Sequence, residues 1–396
     1  MRTLVGWDVA EEAELIQLYL NAGENTAVIA MNAEELVHHA ETDGKFDAIL
    51  MCISHPDSDT AYQVFCQLRE LLPGCPIVGA CHMQEIFKVA KFLTKGLRAY
   101  VPRDAAGDYV FLLEATIESI VEAVRAEREQ KIAEKLREEI DSVRKLQMSI
   151  LPQDLKTPDG YEICASYEPS QIRVLGGMPV VLAGGDYYDV FSLDEHRTVL
   201  LVGDAAGHGM KACMSIMTMH TLVRMIRNNQ YLDTAAFVSE VNQRLCDQSI
   251  VSGEGGFITL LYGILRTDTN EFEWTSAGHP IPLSHCLTTN TVKPLEEDDP
   301  GGMPLGIMAE AEYNSHKFIV PPNSRLALFT DGLVEAFPDD RAKHTEFGVE
   351  GISQTLRNAH EAPLHNAMQA LFDDSKDFTR GQGRHDDTSI VLLHRR

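Results

Sequence analysis

Short apolar runs alternate with amphipathic stretches along the first 110 residues. The apolar runs are typical of buried strands, and they are Thr3–Val5, Ala27–Ala30, Ala48–Cys52, Ile77–Ala80 and Ala99–Val101. Helical spacing of apolar residues marks the stretches between them, which are Glu11–Asn21, Ala33–Glu41, Thr60–Leu72 and Glu85–Thr94. Strands that alternate with helices usually form a parallel sheet covered on both faces. This part of the chain therefore predicts an α/β domain over residues 1–110.

The next stretch, from Tyr109 to Ile150, contains no Gly or Pro. Its apolar residues recur mostly three or four positions apart, with a longer break around Arg125–Lys131. They form a narrow stripe and are Ile117, Ile120, Val124, Ile132, Leu136, Ile140, Val143, Leu146 and Ile150. A long helix is stable when such a stripe is buried against a partner. Residues 111–152 are therefore predicted to form a dimerising coiled-coil linker that ends at Pro152. A single surface helix packed on its own domain is the alternative.

Strand and helix patterns are mixed from residue 153 to residue 396. The predicted strands are Tyr161–Tyr167, Thr198–Val202, Phe257–Ile264, Glu271–Thr275, Ser315–Val320, Arg325–Phe329 and Thr388–His394. The predicted helices are Lys211–Asn228, Thr234–Cys246, Val349–Asn358 and Leu364–Phe378. Asp268–Asn270 is a predicted turn between two strands. The chain is thus expected to be multidomain: a doubly wound α/β domain of flavodoxin-like order, a helical linker, and an α+β domain over 153–396.

Composition narrows the class of protein. The chain is 44% hydrophobic and 23% charged, which favours a folded protein. Its net charge of -25 argues against nucleic acid or an anionic membrane as the main partner. The eight cysteines form no Cys-x-x-Cys pair, the N-terminus turns polar too early for a signal peptide, and no apolar stretch has the length of a membrane span. We therefore expect a cytoplasmic protein with reduced cysteines.

Four aspartates each lie at the edge of a strand-like run. Asp186 lies in Gly-Gly-Asp-Tyr-Tyr-Asp, Asp204 in Val-Gly-Asp-Ala-Ala-Gly-His-Gly, Asp331 in Phe-Thr-Asp-Gly and Asp386 in His-Asp-Asp-Thr. A single Asp in such a place is most often a turn or N-cap residue. As a set at strand ends they can converge, and carboxylates are the ligands that Mg²⁺ and Mn²⁺ prefer. They predict a site for divalent cations that activate water for attack on phosphorus, with the carbonyl of Ala205 as a further ligand.

Five motifs that contain these residues occur in a fixed order. They are Gly184–Asp189, Gly203–Gly209, Ser276–Pro280, Thr330–Ala336 and Asp386–Thr388. In this order they resemble the SpoIIE/RsbU branch of the metal-dependent (PPM, type-2C) serine/threonine protein phosphatases. The resemblance covers nearly all of residues 145–396, and Lys145–Pro152 is similar to the segment that leads into that domain.

This resemblance implies a β-sandwich flanked by helices, with two Mn²⁺ or Mg²⁺ ions between the sheets. Carried over by position, the metal ligands would be Asp186, Asp204, Asp331, Asp386 and the carbonyl of Ala205. Asp387 is a weaker candidate, which would support a ligand rather than bind the metal directly. Ser276–Pro280 would be a structural turn, and His208 and His279 lie in Gly-rich turns rather than acting as acids. Gln171–Ala183 is longer than expected for the family, so we expect a local difference there.

The first segment resembles the receiver domain of bacterial response regulators over about 120 residues. Such a domain needs an acidic pair, a phosphoacceptor Asp, a hydroxyl residue and a Lys after successive strands. The corresponding residues here are Asp8 as the one remaining acid, Cys52, Cys81 and Arg103. A thiol does not form the usual acyl phosphate, so we predict a pseudo-receiver that is not phosphorylated by the ordinary route. The two cysteines are interpreted as small core residues, with a redox pair as the alternative.

The leading functional hypothesis is a phosphatase for phosphoserine or phosphothreonine on a regulatory protein. By resemblance, the substrate would be an anti-sigma-factor antagonist, and the receiver-like domain would act through the dimerising helix. A non-catalytic scaffold is the alternative, but a pseudophosphatase would be expected to lack one of the four aspartates. A diguanylate cyclase is disfavoured because Tyr187-Tyr188 follows Asp186 where Glu-Phe is needed, and no P-loop motif is present.

Overall fold

The computed structural model describes residues 1–396 except 22–23, 105–106, 153, 173–179, 182–183, 208, 227–232, 249–250, 252–255, 297–300, 339–345 and 381–385. The described chain divides into two compact units, Met1–Leu136 and Arg137–Arg396. One long helix contributes residues to both units.

The first unit is a doubly wound α/β fold. Its strands are β1 (Arg2–Gly6), β2 (Thr26–Ala30), β3 (Ala48–Cys52), β4 (Ile77–His82) and β5 (Ala99–Arg103). Its helices are α1 (Ala10–Leu20), α2 (Ala33–Thr42), α3 (Ser58–Leu71), α4 (Val89–Leu93) and α5 (Val110–Ile150). All strand pairs are parallel, in the order β2-β1-β3-β4-β5, so the predicted strand order is confirmed.

Burial explains why the strands of this unit are continuous apolar runs. All five residues of β3 are buried, and successive side chains enter different cores on the two faces of the sheet. The helix predicted over Glu85–Thr94 is only partly formed. Met83–Lys88 is a 3₁₀ helix without a buried side chain, so an α-helix begins only at Val89, where an apolar side chain packs on the sheet.

The predicted helical segment is a single helix, α5, which ends two residues before Pro152. Its first turns pack on the sheet of the first unit through Leu113, Ile117 and Val121. Farther along, Ile132 and Leu136 are 60% and 58% exposed. Packing on its own domain thus covers only the first part of the apolar stripe. None of the described helices combines the length and the apolar character that crossing a bilayer requires.

The second unit contains two five-stranded antiparallel sheets. The first has the order β15-β12-β11-β10-β9, with β9 (Asp186–Ser192), β10 (Arg197–Ala205), β11 (Ile258–Arg266), β12 (Glu271–Ala277) and β15 (His316–Ile319). The second has the order β14-β13-β16-β17-β6, with β6 (Tyr161–Glu168), β13 (Leu283–Cys286), β14 (Thr291–Pro294), β16 (Ser324–Phe329) and β17 (Thr388–Arg395). A two-stranded ribbon joins β7 (Gln171–Ile172) and β8 (Val180–Val181).

Helices cover this sandwich. They are α6 (Met210–Ile226), α7 (Thr234–Cys246), α8 (Asp331–Val334), α9 (Gly348–Asn358) and α10 (Leu364–Phe378). Apolar residues of both sheets share one core with α6 and α7, and a separate core lies between the second sheet and α9–α10. The turn predicted at Asp268–Asn270 joins β11 to β12, with Asn270 at a φ of 57°.

Three strands of the sandwich are absent from the sequence prediction: β9, β13 and β14. The most important is β9, whose apolar run is interrupted by Asp189, a fully buried carboxylate. Arg224 of α6 makes that burial possible, because its guanidinium lies 2.6 Å from Asp189. The predicted end of the α6 helix at Asn228 lies outside the described residues.

Candidate metal centre

Neighbouring strands of the first sheet bring Asp186 and Asp204 together. Asp186 begins β9, Asp204 is the second-last residue of β10, and antiparallel pairing makes them direct cross-strand partners. Side chains of such partners lie on the same face of a sheet, about 5 Å apart at Cβ. Both residues are buried, at 1% and 8% exposure. Two carboxylates therefore lie side by side at one end of this sheet.

The second sheet contributes Asp331 and Asp386 to the same place. Asp331 follows β16, Asp386 precedes β17, and these two strands pair antiparallel, so their ends are adjacent. Thr330 connects the two sheets: its hydroxyl donates to Oδ2 of Asp186 at 2.7 Å and accepts from the Ser389 amide at 2.9 Å. Carboxylates that are far apart in the sequence thus converge between the sheets.

Burial and mutual repulsion raise the pKa values of these carboxyl groups. Burial is the main cause at Asp186, whose pKa lies well above its ordinary value, and the charges of Asp387 and Asp331 add to the rise. Burial together with the charges of Asp186, Asp331 and Asp386 raises the pKa of Asp204 to about 11. The pKa of Asp331 is raised by burial and by Asp386. Such a cluster favours a bound cation, which would offset the repulsion.

Two oxygen atoms of this cluster have no partner among the described residues. They are Oδ1 of Asp186 and Oδ1 of Asp331, both buried. A buried carboxylate oxygen without a donor is unfavourable unless an ion or water satisfies it. No group of three His, Cys, Asp or Glu side chains in the described part of the chain is already arranged to hold one metal ion. The oxygen-only donor set and the two unpaired oxygens nonetheless fit hard divalent cations.

Asp387 differs from the other aspartates because the protein occupies both of its oxygens. Oδ1 accepts from the Ser170 amide at 2.7 Å and from the Tyr167 hydroxyl at 3.2 Å, and Oδ2 accepts from the Gly185 amide at 2.7 Å. Its geometry suits a residue that holds the loop before β9 rather than a direct ligand. This agrees with its lower rank as a predicted ligand.

The double glycine before Asp186 allows this close packing. A Cβ at Gly185 would lie 2.6 Å from the carbonyl oxygen of Ala205 and 2.9 Å from Oδ1 of Asp204. The Ala205 amide also donates to the Gly185 carbonyl at 2.9 Å. The Ala205 carbonyl is thus next to the carboxylates, where the sequence predicts a ligand, and any side chain at Gly185 would displace it.

Gln147 is a site residue that the sequence argument missed. It lies in the last turns of α5 and is fully buried. Its Nε2 donates to the Asp186 carbonyl at 3.2 Å, and its Oε1 accepts from the Gly184 amide at 2.8 Å. The signal was a polar residue beside the apolar stripe, but its partners lie about 40 residues away, so the pattern does not reveal them. The end of α5 therefore fixes the backbone of the predicted ligand Asp186.

His279, the motif histidine among the described residues, is not placed as an acid. His279 is buried, its Nδ1 lies 2.9 Å from the Thr259 hydroxyl, and burial lowers its pKa to about 3, so it is neutral at physiological pH. The Ser276 hydroxyl bonds to both the amide and the carbonyl of His279, which makes Ser276–Pro280 a closed turn. His208 lies outside the described residues, as does most of Gln171–Ala183.

The receiver-like positions Asp8, Cys52 and Arg103 also come together, in the first unit. The Arg103 guanidinium is 4% exposed and lies 2.7 Å from both Asp8 and Glu12. The Cys52 thiol is 3.3 Å from the Asp8 carboxylate. Although burial opposes it, Arg103 holds the pKa of Asp8 below its ordinary value. Glu12, which the sequence pattern does not single out, is a second carboxylate of the cluster, and the Arg103 guanidinium forms ion pairs with both acids.

Cys81 does not join this cluster. Its side chain packs in the apolar core on one face of the sheet, whereas Cys52 packs in the core on the opposite face. A disulfide requires Cβ atoms about 4 Å apart, so a sheet between the two thiols opposes a direct redox pair. Both cysteines are buried and free, which agrees with the interpretation as small core residues.

Known proteins resemble this chain over part of its length. Residues 194–396, slightly more than half of the chain, match the family model described as Stage II sporulation protein E (SpoIIE). The phosphoserine phosphatase RsbP of Bacillus subtilis is 24% identical over 210 residues, covering 53% of this chain and 48% of RsbP. Protein IcfG of Synechocystis is 22% identical over 281 residues, covering 65% of this chain and 41% of IcfG. The chain thus spans less than half the length of either relative.

A solved structure supports the fold. The SiaA-PP2C domain of Pseudomonas aeruginosa superimposes with a TM-score of 0.54 at 18% identity, covering 66% of this chain and 98% of that domain. The antiparallel sheets of the second unit thus have the fold of the PPM phosphatases. Together with the match over residues 194–396, this means that the chain belongs to the SpoIIE family and that its second unit has the PPM phosphatase fold.

Proposed function

We propose that this chain is a metal-dependent phosphatase that hydrolyses phosphoserine or phosphothreonine on a regulatory protein of the anti-sigma-factor antagonist type. The convergence of Asp186, Asp204, Asp331 and Asp386 from both sheets carries this proposal. The similarity to a phosphoserine phosphatase supports the reaction class.

The four aspartates and the Ala205 carbonyl would hold two divalent cations, Mn²⁺ or Mg²⁺. When bound, such cations activate water and polarise the phosphoryl group. The protein's own contribution is to hold the ligands: Thr330 orients Asp186, and Asp387 restrains the amide of Gly185. The buried position between the sheets limits access of bulk water to the ligands.

Release of phosphate by the purified chain tests this proposal. We expect release from a phosphoserine protein in the presence of Mn²⁺ or Mg²⁺, loss of release with a chelator, and recovery when the cation is added back. A phosphotyrosine peptide serves as the comparison substrate and should be hydrolysed more slowly. Absence of release with either cation would overturn the enzymatic proposal in favour of a non-catalytic scaffold.

Control by the first unit is the second part of the proposal. The uncovered residues Ile132 and Leu136 support a homodimer through α5, and the ion-paired Arg103 supports a pseudo-receiver that is not phosphorylated. Gln147 gives α5 a direct contact with the backbone of Asp186. A change in the helix pair would thus alter the ligand geometry without any phosphoryl transfer in the first unit.

A further inference from the structure

A cavity of about 420 Å³ lies in the first unit, far from the cluster of Asp8 and Arg103. That cluster is at the carboxyl ends of the parallel strands, whereas the cavity lies at their amino ends, beside the segments that precede β3 and β4. The third wall is one face of α5. Small-molecule sites in proteins have volumes of about 300–1,000 Å³, so this cavity is of suitable size.

The charge of the cavity differs from that of the whole protein. Lys45, Arg125 and Arg128 line it together with one carboxylate, Asp47, so the net charge of the lining is 3 − 1 = +2. The entire chain has a net charge of -25. A positive concave surface on an acidic protein concentrates anions locally. The lining thus favours an anionic ligand.

Both arginines keep donors for such a ligand. Arg128 donates to the Gly74 carbonyl at 2.6 Å, and Arg125 donates to Asp47 at 3.1 Å, each from one terminal nitrogen. A guanidinium has five N–H donors in a planar fork that matches phosphate oxygens. Gly74 has a φ of +82°, and its missing side chain leaves the space that the Arg128 guanidinium occupies. Arg128 is therefore held against the turn before β4.

The rest of the wall is apolar. Phe46, Val121 and Val124 line the cavity but are buried, whereas Leu71, Leu72 and Pro73 line it with accessible apolar surface. A ligand that carries only charge would leave this surface unused, whereas an aromatic or apolar body would cover it. Across Leu72–Pro76 lies a second cavity of about 490 Å³ lined by two more arginines, Arg69 and Arg98, which extends the positive surface.

We infer that the cavity between α5 and the turn before β4 binds a small organic phosphate with an aromatic or apolar body, of the size of a nucleoside monophosphate. The phosphate lies against Arg125, Arg128 and Lys45, and the body lies on Leu71, Leu72 and Pro73. Such a ligand contacts both the body of the first unit and α5, and thereby stabilises one position of that helix. This binding is independent of any phosphatase activity.

Calorimetric titration of the full chain tests the site, with a chelator present so that no divalent cation is bound at the aspartates and no probe is hydrolysed. The probes are adenosine monophosphate and 1-naphthyl phosphate, compared with adenosine and inorganic phosphate. We expect at least one of the two organic phosphates to bind with micromolar affinity, and adenosine and inorganic phosphate to bind at least tenfold more weakly. The double variant Lys45→Glu/Arg125→Glu should weaken binding at least tenfold, because it reverses two exposed charges at the cavity. Lys135→Glu, an exposed residue of the same helix outside the cavity, is the matched control and should bind as the wild type does.

Hydrogen exchange provides a second measurement that does not depend on the variants. The bound probe should slow amide exchange in Leu72–Cys75 and in Val121–Arg128. Failure of both organic phosphates to bind would overturn the inference. Equal affinity for inorganic phosphate, or unchanged affinity in the double variant, would overturn it as well.

Discussion

Asp186 and Asp204 lie next to each other in a place from which water is largely excluded. Two like charges in such a place raise each other's pKa, and the folded chain must offset this cost with donors or cations. Thr330 supplies one donor to Asp186. At the scale of the residue, the aspartates were predictable because each lies in a short motif beside a strand. Thr330, Tyr167 and Gln147 were not, because their roles arise from contacts between distant segments.

Gln147→Ala removes two hydrogen bonds to the segment that leads into β9. The Gly184 amide and the Asp186 carbonyl would be left buried without their partner, so we expect a loss of about 1–3 kcal/mol in the free energy of unfolding. Phosphate release should fall too, since the backbone of Asp186 is no longer fixed. Chemical denaturation monitored in the second unit measures the effect, with Gln130→Ala on the exposed part of α5 as the control. Wild-type stability and activity in Gln147→Ala would contradict the assigned role.

Arg103→Ala leaves the carboxylates of Asp8 and Glu12 without their cation, so we expect the first unit to lose about 2 kcal/mol or more at neutral pH. Burial opposes the change, but the folded pKa values of both acids lie below their ordinary values of 3.8 and 4.5. At Asp8 the main cause of the lowering is Arg103, whereas at Glu12 Arg103 adds to the larger effect of hydrogen bonds from Tyr109 and Trp7. The stabilisation is therefore present at neutral pH and is lost as the pH falls from about 4.5 through the lowered values.

Thermal unfolding of the first unit at pH 7 and pH 3 tests this direction of the pH dependence. The wild type should lose more stability on acidification than Arg103→Ala does.

Acetyl phosphate should give no acid-labile label on the wild type, because Cys52 stands at the acceptor position. Equal stability of the two proteins at pH 7, or a hydroxylamine-sensitive label, would contradict the account of this cluster.

At the scale of the element, most strands and helices follow from periodicity. The ends of β3, α7 and α10 are as predicted, because β3 is a continuous apolar run and apolar residues recur at helical spacing through α7 and α10. Periodicity fails where a buried polar residue interrupts a strand, as Asp189 does in β9, and in the short strands β13 and β14. It also fails to distinguish a 3₁₀ segment from an α-helix at Met83–Lys88.

The uncovered stripe of α5 leads to a prediction about assembly. Leu136→Lys places a charge on the stripe and should convert a dimer of the full chain into a monomer, because the charge would be buried between the helices. Glu129→Lys changes an exposed residue of the same helix and is the control. Light scattering after size-exclusion chromatography gives the molar mass. A wild-type monomer, or a dimer that survives Leu136→Lys, would show that α5 is not the dimer interface.

At the scale of the whole molecule, two units with separate cores share one continuous helix. Each unit should unfold in its own transition. A ligand that binds only the folded state raises the transition of the unit that holds it. We expect Mn²⁺ to raise the unfolding temperature of the second unit and to leave that of the first unchanged, as scanning calorimetry would record. A shift confined to the first unit would mean that Mn²⁺ binds the first unit instead of the second, which would contradict this prediction.

If the converging aspartates hold the cations, phosphate release must depend on each of them. The most direct test compares Mn²⁺-dependent phosphate release by Asp204→Asn with that of the wild type, using Asp373→Asn on the exposed side of α10 as a matched control. We expect Asp204→Asn to release phosphate at least about 100-fold more slowly. Even residues that only hydrogen-bond to metal ligands lower metal affinity or activity about 10–100-fold when they are replaced. The control should match the wild type. Wild-type release by Asp204→Asn, or release that persists in the presence of a chelator, would contradict the account.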